Sequence, residues 1–215
     1  MSAEKRLSRR RMMQGGLGVM ALVASAPLMA VGLTPAQSQG PFFPRKDQAD
    51  QDLDLTRVDG RVESARGEVI EISGQVRDES GAPVAGARVD VWQANSAGRY
   101  DHEADPNPAA LDPNFQGWAR LTTDAQGRYR IRTIKPGQYP VRDGWSRPPH
   151  IHFKVAHRGF REIATQMYFA GDALNDVDLL WTELSPDDRA RVTVAFAADG
   201  GAAPAGRFDL VLKKV

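Results

Sequence analysis

The chain of 215 residues contains no cysteine. That absence excludes a disulfide-stapled scaffold, a thiolate metal site and a cysteine nucleophile. Any bound metal must then be held by nitrogen and oxygen donors, which favours iron, zinc, copper or manganese over cluster chemistry. Imidazole and phenol are scarce as well, with four histidines and four tyrosines, so each can be weighed by its position. An excess of basic charge is missing from most of the chain. Residues 1 to 33 hold five Lys/Arg and one acid, which leaves 23 basic against 26 acidic side chains, a net of −3, in the remainder. A mildly acidic domain gives no reason to expect a nucleic-acid partner. No internal repeat is present, and the length suits one domain with its own core.

Long apolar runs are also absent, with one exception. The basic stretch SRRRMMQ (Ser8 to Gln14) leads into the uncharged run GGLGVMALVASAPLMAVGL (Gly15 to Leu33). Paired arginines before a moderately apolar, glycine-containing run read as a twin-arginine export signal over residues 1–33, with a periplasmic destination and membrane contact only through this segment. Nineteen uncharged residues could just span a bilayer, but Gly15, Gly16, Gly18 and Pro27 argue against a stable spanning helix. Ala24-Ser25-Ala26 fits a small-x-small cleavage pattern, whereas Pro27 directly after it does not. Residues 34–215 are expected to form the working domain.

From Val69 onward, period-2 alternation bounded by turn residues dominates. Strands are expected in VIEISGQVR (69 to 77), ARVDVWQAN (87 to 95), WARLTTD, YRIRTI, HIHFKVA, EIATQMYF, RVTVAF and RFDLVLKKV. Only SPDDRARV reads as a helix start, with Ser185 as N-cap and Pro186 at the first helical position. Many short strands with little helix predict an all-β, antiparallel sandwich. Two connections are long, Ser96 to Gln116 and Lys135 to Pro149, and loops of this length usually carry function.

Both long connections lead to candidate ligands. In RPPHIHF, residues 147 to 153, His150 and His152 stand two apart on a strand and so project from one face, with Ile151 turned toward the other. An H-x-H pair can supply two imidazoles to one metal, although such pairs also occur on solvated strand faces. His157 lies in a polar turn and reads as a surface residue. Tyr100 and Tyr139 fall in the long loops beside Gly98 and Gly137, outside any alternating pattern. Tyr129 and Tyr168 sit in alternating strands and read as core. Two phenolates and two imidazoles would suit Fe(III), whose charge would deprotonate phenols of free pKa about 10.

The runs VDVWQANSAGRYDH, LDPNFQGWARLTTDAQGRYRIRTIKPGQYP, RPPHIHF and TQMYFAGD together resemble the intradiol ring-cleavage dioxygenases of the protocatechuate 3,4-dioxygenase (beta subunit) type. The similarity begins at TPAQSQGPFFP (34 to 44), runs to about Asp172 and continues more loosely beyond. The resemblance implies a prealbumin-like β-sandwich carrying a mononuclear non-haem Fe(III). It implies Tyr100 as the tyrosine that stays on iron, Tyr139 as the axial tyrosine that leaves, and His150 and His152 as imidazole ligands. It further implies Arg147 beside the aromatic ring of a catechol-type substrate, Gln166 shaping the substrate and O2 pocket, and a cis,cis-muconate product. It also implies a homo-oligomer, or a hetero-oligomer with a related subunit. The chain departs from the type at Val141, where a bulky aromatic is usual, and it lacks the helical N-terminal domain of catechol 1,2-dioxygenases. Arg99 and Arg142 could read a substrate carboxylate, though a solvated loop arginine is the plainer reading of each.

Two other readings compete. ISGQVRDESGAPVAGARVDVW followed by TDAQGRYRI also resembles non-catalytic prealbumin-like binding modules, which have no need of Tyr100, Tyr139, His150 and His152 together. A zinc or copper protein could instead complete the two histidines with a carboxylate such as Asp101 or Asp143.

Overall fold

The computed structural model describes residues 32–46, 52–142, 145–198 and 200–215. The export segment (apart from Gly32 and Leu33), its cleavage point, Asp143 and the side chain of Arg142 therefore lie outside the described residues. No helix among the described residues is long and apolar enough to cross a membrane.

Two sheets face each other. In the first, β1 (Val69–Asp78) pairs antiparallel with β4 (Arg128–Ile134) along one edge. Its other edge takes β10 (Ala205–Arg207) and then β11 (Leu210–Leu212), both parallel. The second has the order β3-β2-β7-β8-β9, built from β3 (Trp118–Thr122), β2 (Arg88–Trp92), β7 (His150–Ala156), β8 (Ile163–Phe169) and β9 (Thr193–Val194). The β8–β9 pairing is parallel too. The architecture is thus the expected sandwich, but its sheets are mixed, because the C-terminal segments return alongside β1 and β8 in the same direction.

Alternation explains the packing. Ile70, Ile72 and Val76 of β1 meet Val89, Val91, Ile151, Phe153, Val155 and Met167 of the second sheet, all at most 1% exposed. Burying side chains of this size stabilises the sandwich by about 1.5–3 kcal/mol each. The helix α2 (Pro186–Val192) starts as expected, with the Ser185 hydroxyl accepting from the Asp188 amide.

Two departures from the sequence reading bear on function. The segment read as a loop before Pro149 contains a hairpin, β5 (Tyr139–Arg142) with β6 (Trp145–Arg147), in which Tyr139 opposes Arg147. A 3-10 turn (Ala173–Val177) and the one-turn helix α1 (Leu179–Thr182) follow β8, where no helix start was read.

Candidate metal centre

The site lies on the face of the second sheet opposite the core. Cross-strand register sets its rows: Trp92 of β2 stands opposite His152 of β7, which stands opposite Gln166 of β8. His150 stands opposite Tyr168. Both histidines are 3% exposed, so this face is covered rather than solvated.

The cover comes from loops. Residues 34–43 run as an extended strap along β8. Gln37 donates its amide to the Ala164 carbonyl at 2.8 Å, and the Gln166 side-chain nitrogen donates to the Ser38 carbonyl at 3.0 Å. Phe42 packs against Tyr100 with centroids 4.7 Å apart, and Phe43 lies edge-on to Trp92. The loop after β2 brings in Tyr100, whose amide donates to the buried Asp105 carboxylate at 2.7 Å. The β5–β6 hairpin brings in Tyr139 and Arg147 together.

Glycine allows the two tyrosine-bearing segments to touch. Gly98 has φ +76, and a side chain there would collide with the Gln138 carbonyl; one at Gly137 would collide with the Ser96 carbonyl. The Gly137 amide donates to the Asn95 carbonyl at 2.9 Å, joining the segments directly. In both Gly98-Arg99-Tyr100 and Gly137-Gln138-Tyr139, a glycine two residues before the phenol makes the close approach. The rings of Tyr100 and Tyr139 meet edge to face, 5.9 Å apart.

The central feature is a convergence of donors. The Tyr100 oxygen is 3.2 Å from His150 Nε2 and 3.1 Å from His152 Nε2. His150 Nδ1 lies 2.7 Å from the Pro148 carbonyl, which can only accept, so that nitrogen carries the proton and Nε2 presents a lone pair. His150 accepts from the Tyr100 hydroxyl, and His152 in its Nε2-protonated tautomer can donate to the Tyr100 oxygen, so the three groups also form a closed hydrogen-bond chain without a cation. Ligands of one metal, each about 2.0–2.1 Å from it, stand about 3 Å apart, the spacing found here. His152 Nδ1 is without a hydrogen-bond partner, and its ring is held instead by stacking on Trp92 at 4.7 Å and 11°.

Electrostatics agree with ligation by neutral imidazoles. Burial, reinforced by Arg147 and His152, holds His150 well below its ordinary value, and burial with Arg147 lowers His152 to about 3. Burial raises both Tyr100 and Tyr139 far enough that each phenol keeps its proton unless a cation is close. The candidate donors are the His150 Nε2 lone pair, the neutral His152 imidazole and two phenols of high proton affinity, a set that fits a hard trivalent cation. Among the described residues no cluster of three or more His, Cys, Asp or Glu side chains could hold a metal, and Asp101 is exposed. The carboxylate-completed zinc or copper reading lacks its third ligand there.

The remaining candidates divide. Arg147 is 5% exposed, with Nη1 3.3 Å from His150 Nε2. Burial, the largest single influence, works against its charge, but Asp178 together with Tyr168 and Tyr100 more than offsets it and the guanidinium stays ionised. Gln166 is fully buried beside His152, with its carbonyl oxygen unpartnered. Arg99 turns elsewhere: it pairs loosely with Asp105 at 3.8 Å and lines a cavity of about 470 Å³ with Leu111, Phe115 and Gln116, apart from the histidines. His157 is half-buried against Phe160.

Sequence reasoning missed three contributors. Tyr168 is buried as expected, yet it faces the site rather than the core, its hydroxyl accepting from Arg147 Nη2 at 3.1 Å and from Gln37 at 3.2 Å. Asp178, wholly buried, takes two guanidinium nitrogens of Arg147. Trp92 was read only as a strand residue. The register of RPPHIHF against TQMYF could have flagged Tyr168; nothing in the sequence marks Asp178.

The chain as a whole has relatives of known family and structure. Residues 38–214 match the Dioxygenase family, Dioxygenase_C. The chain is 43% identical over 180 residues to the protocatechuate 3,4-dioxygenase beta chain of Burkholderia cepacia, covering 80% of this chain and 76% of that one. Among solved structures, the dioxygenase domain of a dioxygenase carbohydrate-binding protein fusion from Streptomyces sp. SirexAA-E superposes with a TM-score of 0.65 at 29% identity, covering 86% of this chain and all of that one. Catechol 1,2-dioxygenase from Pseudomonas arvilla C-1 superposes with a TM-score of 0.64 at 29% identity, covering 85% of this chain and 62% of that one.

Proposed function

The chain belongs to the intradiol ring-cleavage dioxygenases, a family of oxidoreductases, and on that premise we propose that it opens catechol-type rings with O2 at a non-haem Fe(III) held by Tyr100, Tyr139, His150 and His152. The observation that carries the reading is the convergence of the Tyr100 oxygen with both imidazole Nε2 atoms. Held by these four residues, Fe(III) would supply Lewis acidity toward a chelating catecholate.

The protein's own groups do the rest. A catechol must lose two protons to chelate. Tyr139, half-buried on the hairpin while Tyr100 is enclosed, is the phenol free to move and accept one of them. Its high proton affinity makes its anion an effective base. Arg147 cannot deprotonate, so its Nη1 edge stabilises negative charge developing on the ring as oxygen attacks. Gln166 borders the substrate and O2 space beside His152. Strap and hairpin exclude water, which strengthens each of these interactions. Both atoms of O2 enter the product, a cis,cis-muconate.

Protocatechuate or a related vicinal diol is the proposed substrate. The Burkholderia relative is named a beta chain, and we extend to this chain assembly with itself or with a related subunit; light scattering of the purified protein checks it. Export through the paired arginines is proposed from the sequence, with cell fractionation as its test. Purified protein is expected to be wine-red and to consume O2 with one of catechol, protocatechuate or hydroxyquinol. Colourless, iron-free protein after expression with ample iron would refute the assignment.

A further inference from the structure

We propose that Asp178 is a positioning residue that sets the orientation of the Arg147 guanidinium against the reacting ring. The inference rests on the ring-cleavage reading of the site and adds to it a residue outside the donor set.

The geometry is specific. Arg147 Nε and Nη2 reach the two oxygens of Asp178 at 3.2 and 2.8 Å, a fork-to-fork pair with both side chains almost wholly buried. Nη2 also donates to the Tyr168 hydroxyl, which the Gln37 side chain holds from the other side. Of the guanidinium nitrogens, this leaves Nη1 turned toward His150. Rotation about the Cδ–Nε bond, which would present another edge, breaks the fork.

Asp178 is itself fixed. Its amide donates to the Asn175 carbonyl at the end of the 3-10 turn, and its own carbonyl accepts from the Trp181 and Thr182 amides and the Thr182 hydroxyl as α1 begins. It occupies the N-cap position of α1, where an aspartate usually caps with its side chain. Here the side chain makes no capping bond and goes to Arg147 instead. Charge gives a second reason for the pair. A guanidinium beside a trivalent cation is repelled, and the buried carboxylate offsets that repulsion without occupying the edge that faces the ring.

The test is Asp178→Asn, which keeps shape while removing charge and half the fork. Wild-type turnover is measured first, because its absence would refute the ring-cleavage reading and not the pairing. The variant is expected to keep its iron and visible band, to hold KM within a few-fold, and to lose about 10–100-fold in kcat, the usual cost of an outer-shell partner. In an Arg147→Lys background the same change should add little, since Asp178 acts through Arg147. Nitrogen-15 NMR of the metal-free protein gives a readout independent of activity: a slowly rotating Arg147 guanidinium in wild type, freed in Asp178→Asn. Unchanged kcat, or losses that add fully in the double variant, would overturn the proposal. If Asp178→Asn does not fold, the wild-type spectrum still decides, because a freely rotating Arg147 guanidinium is incompatible with the clamp.

Discussion

β7 does two jobs on its two faces. Ile151, Phe153 and Val155 point between the sheets and are fully buried among aliphatic and aromatic neighbours. His150 and His152 point the other way and are nearly as buried, but under a strap, a loop and a hairpin rather than a sheet. The inner face is completed by regular strand pairing, so its partners follow from alternation. The outer face is completed by irregular chain, so it is a specific site only where Gly98 and Gly137 let two loops meet. One face holds the fold together and the other holds the chemistry.

The sharpest way to separate them is His152→Ala. Loss of iron and a fall in O2 uptake of more than about 100-fold are expected, with the midpoint of the metal-free variant falling less, relative to metal-free wild type, than for truncation of an inner-face residue. A large drop in the midpoint would show that the faces are not independent. On the inner face, Phe153→Ala should cost about 3–5 kcal/mol of stability in a denaturant titration, while the folded fraction keeps its colour. Gly98→Ala tests the closure of the outer face. Strain at positive φ and the collision with Gln138 should cost about 1–3 kcal/mol and bleach the tyrosinate band by parting Tyr100 from Tyr139.

A graded effect is expected with pH. In metal-free protein, burial lowers His152 to about 3 when folded, against an ordinary 6.5. The unfolded chain therefore binds the proton more readily, so stability is full above about pH 6.5 and falls progressively as pH drops toward 3. Thermal melts from pH 7.5 to 4.5 check the sign; a midpoint that rises on acidification would contradict a buried neutral imidazole.

These contrasts also explain what was legible in the sequence. Alternation located the main strands and placed Ile151 opposite its histidine neighbours, because period 2 is a local property. Ser185-Pro186 marked α2 for the same reason. The hairpin carrying Tyr139 and Arg147 went unread, since Pro140 and the short strands give no alternation. The resemblance carried by RPPHIHF and the two Gly-x-Tyr turns named Tyr100 with His150 and His152, whose Nε2 atoms the structure brings within hydrogen-bond distance of the Tyr100 oxygen. It also named Tyr139, whose ring lies 5.9 Å from that of Tyr100, whereas alternation alone placed Tyr168 in the wrong layer. Asp178 was invisible because its role depends on a contact across 31 residues, made by a side chain that leaves its own helix uncapped.

The strap has a consequence for the order of assembly. Thr34 and Val211 bond to each other through backbone and hydroxyl across 177 positions, and Gln37 reaches β8 across 131. Contacts this distant in sequence form late, because the intervening chain must be ordered first. The roof over the histidines is thus among the last parts to close during folding, and among the first to open if the C-terminal strands loosen. The cover over the histidines is thereby tied to β11 as well as to β8, so loosening the C-terminal strand is expected to uncover the histidine face.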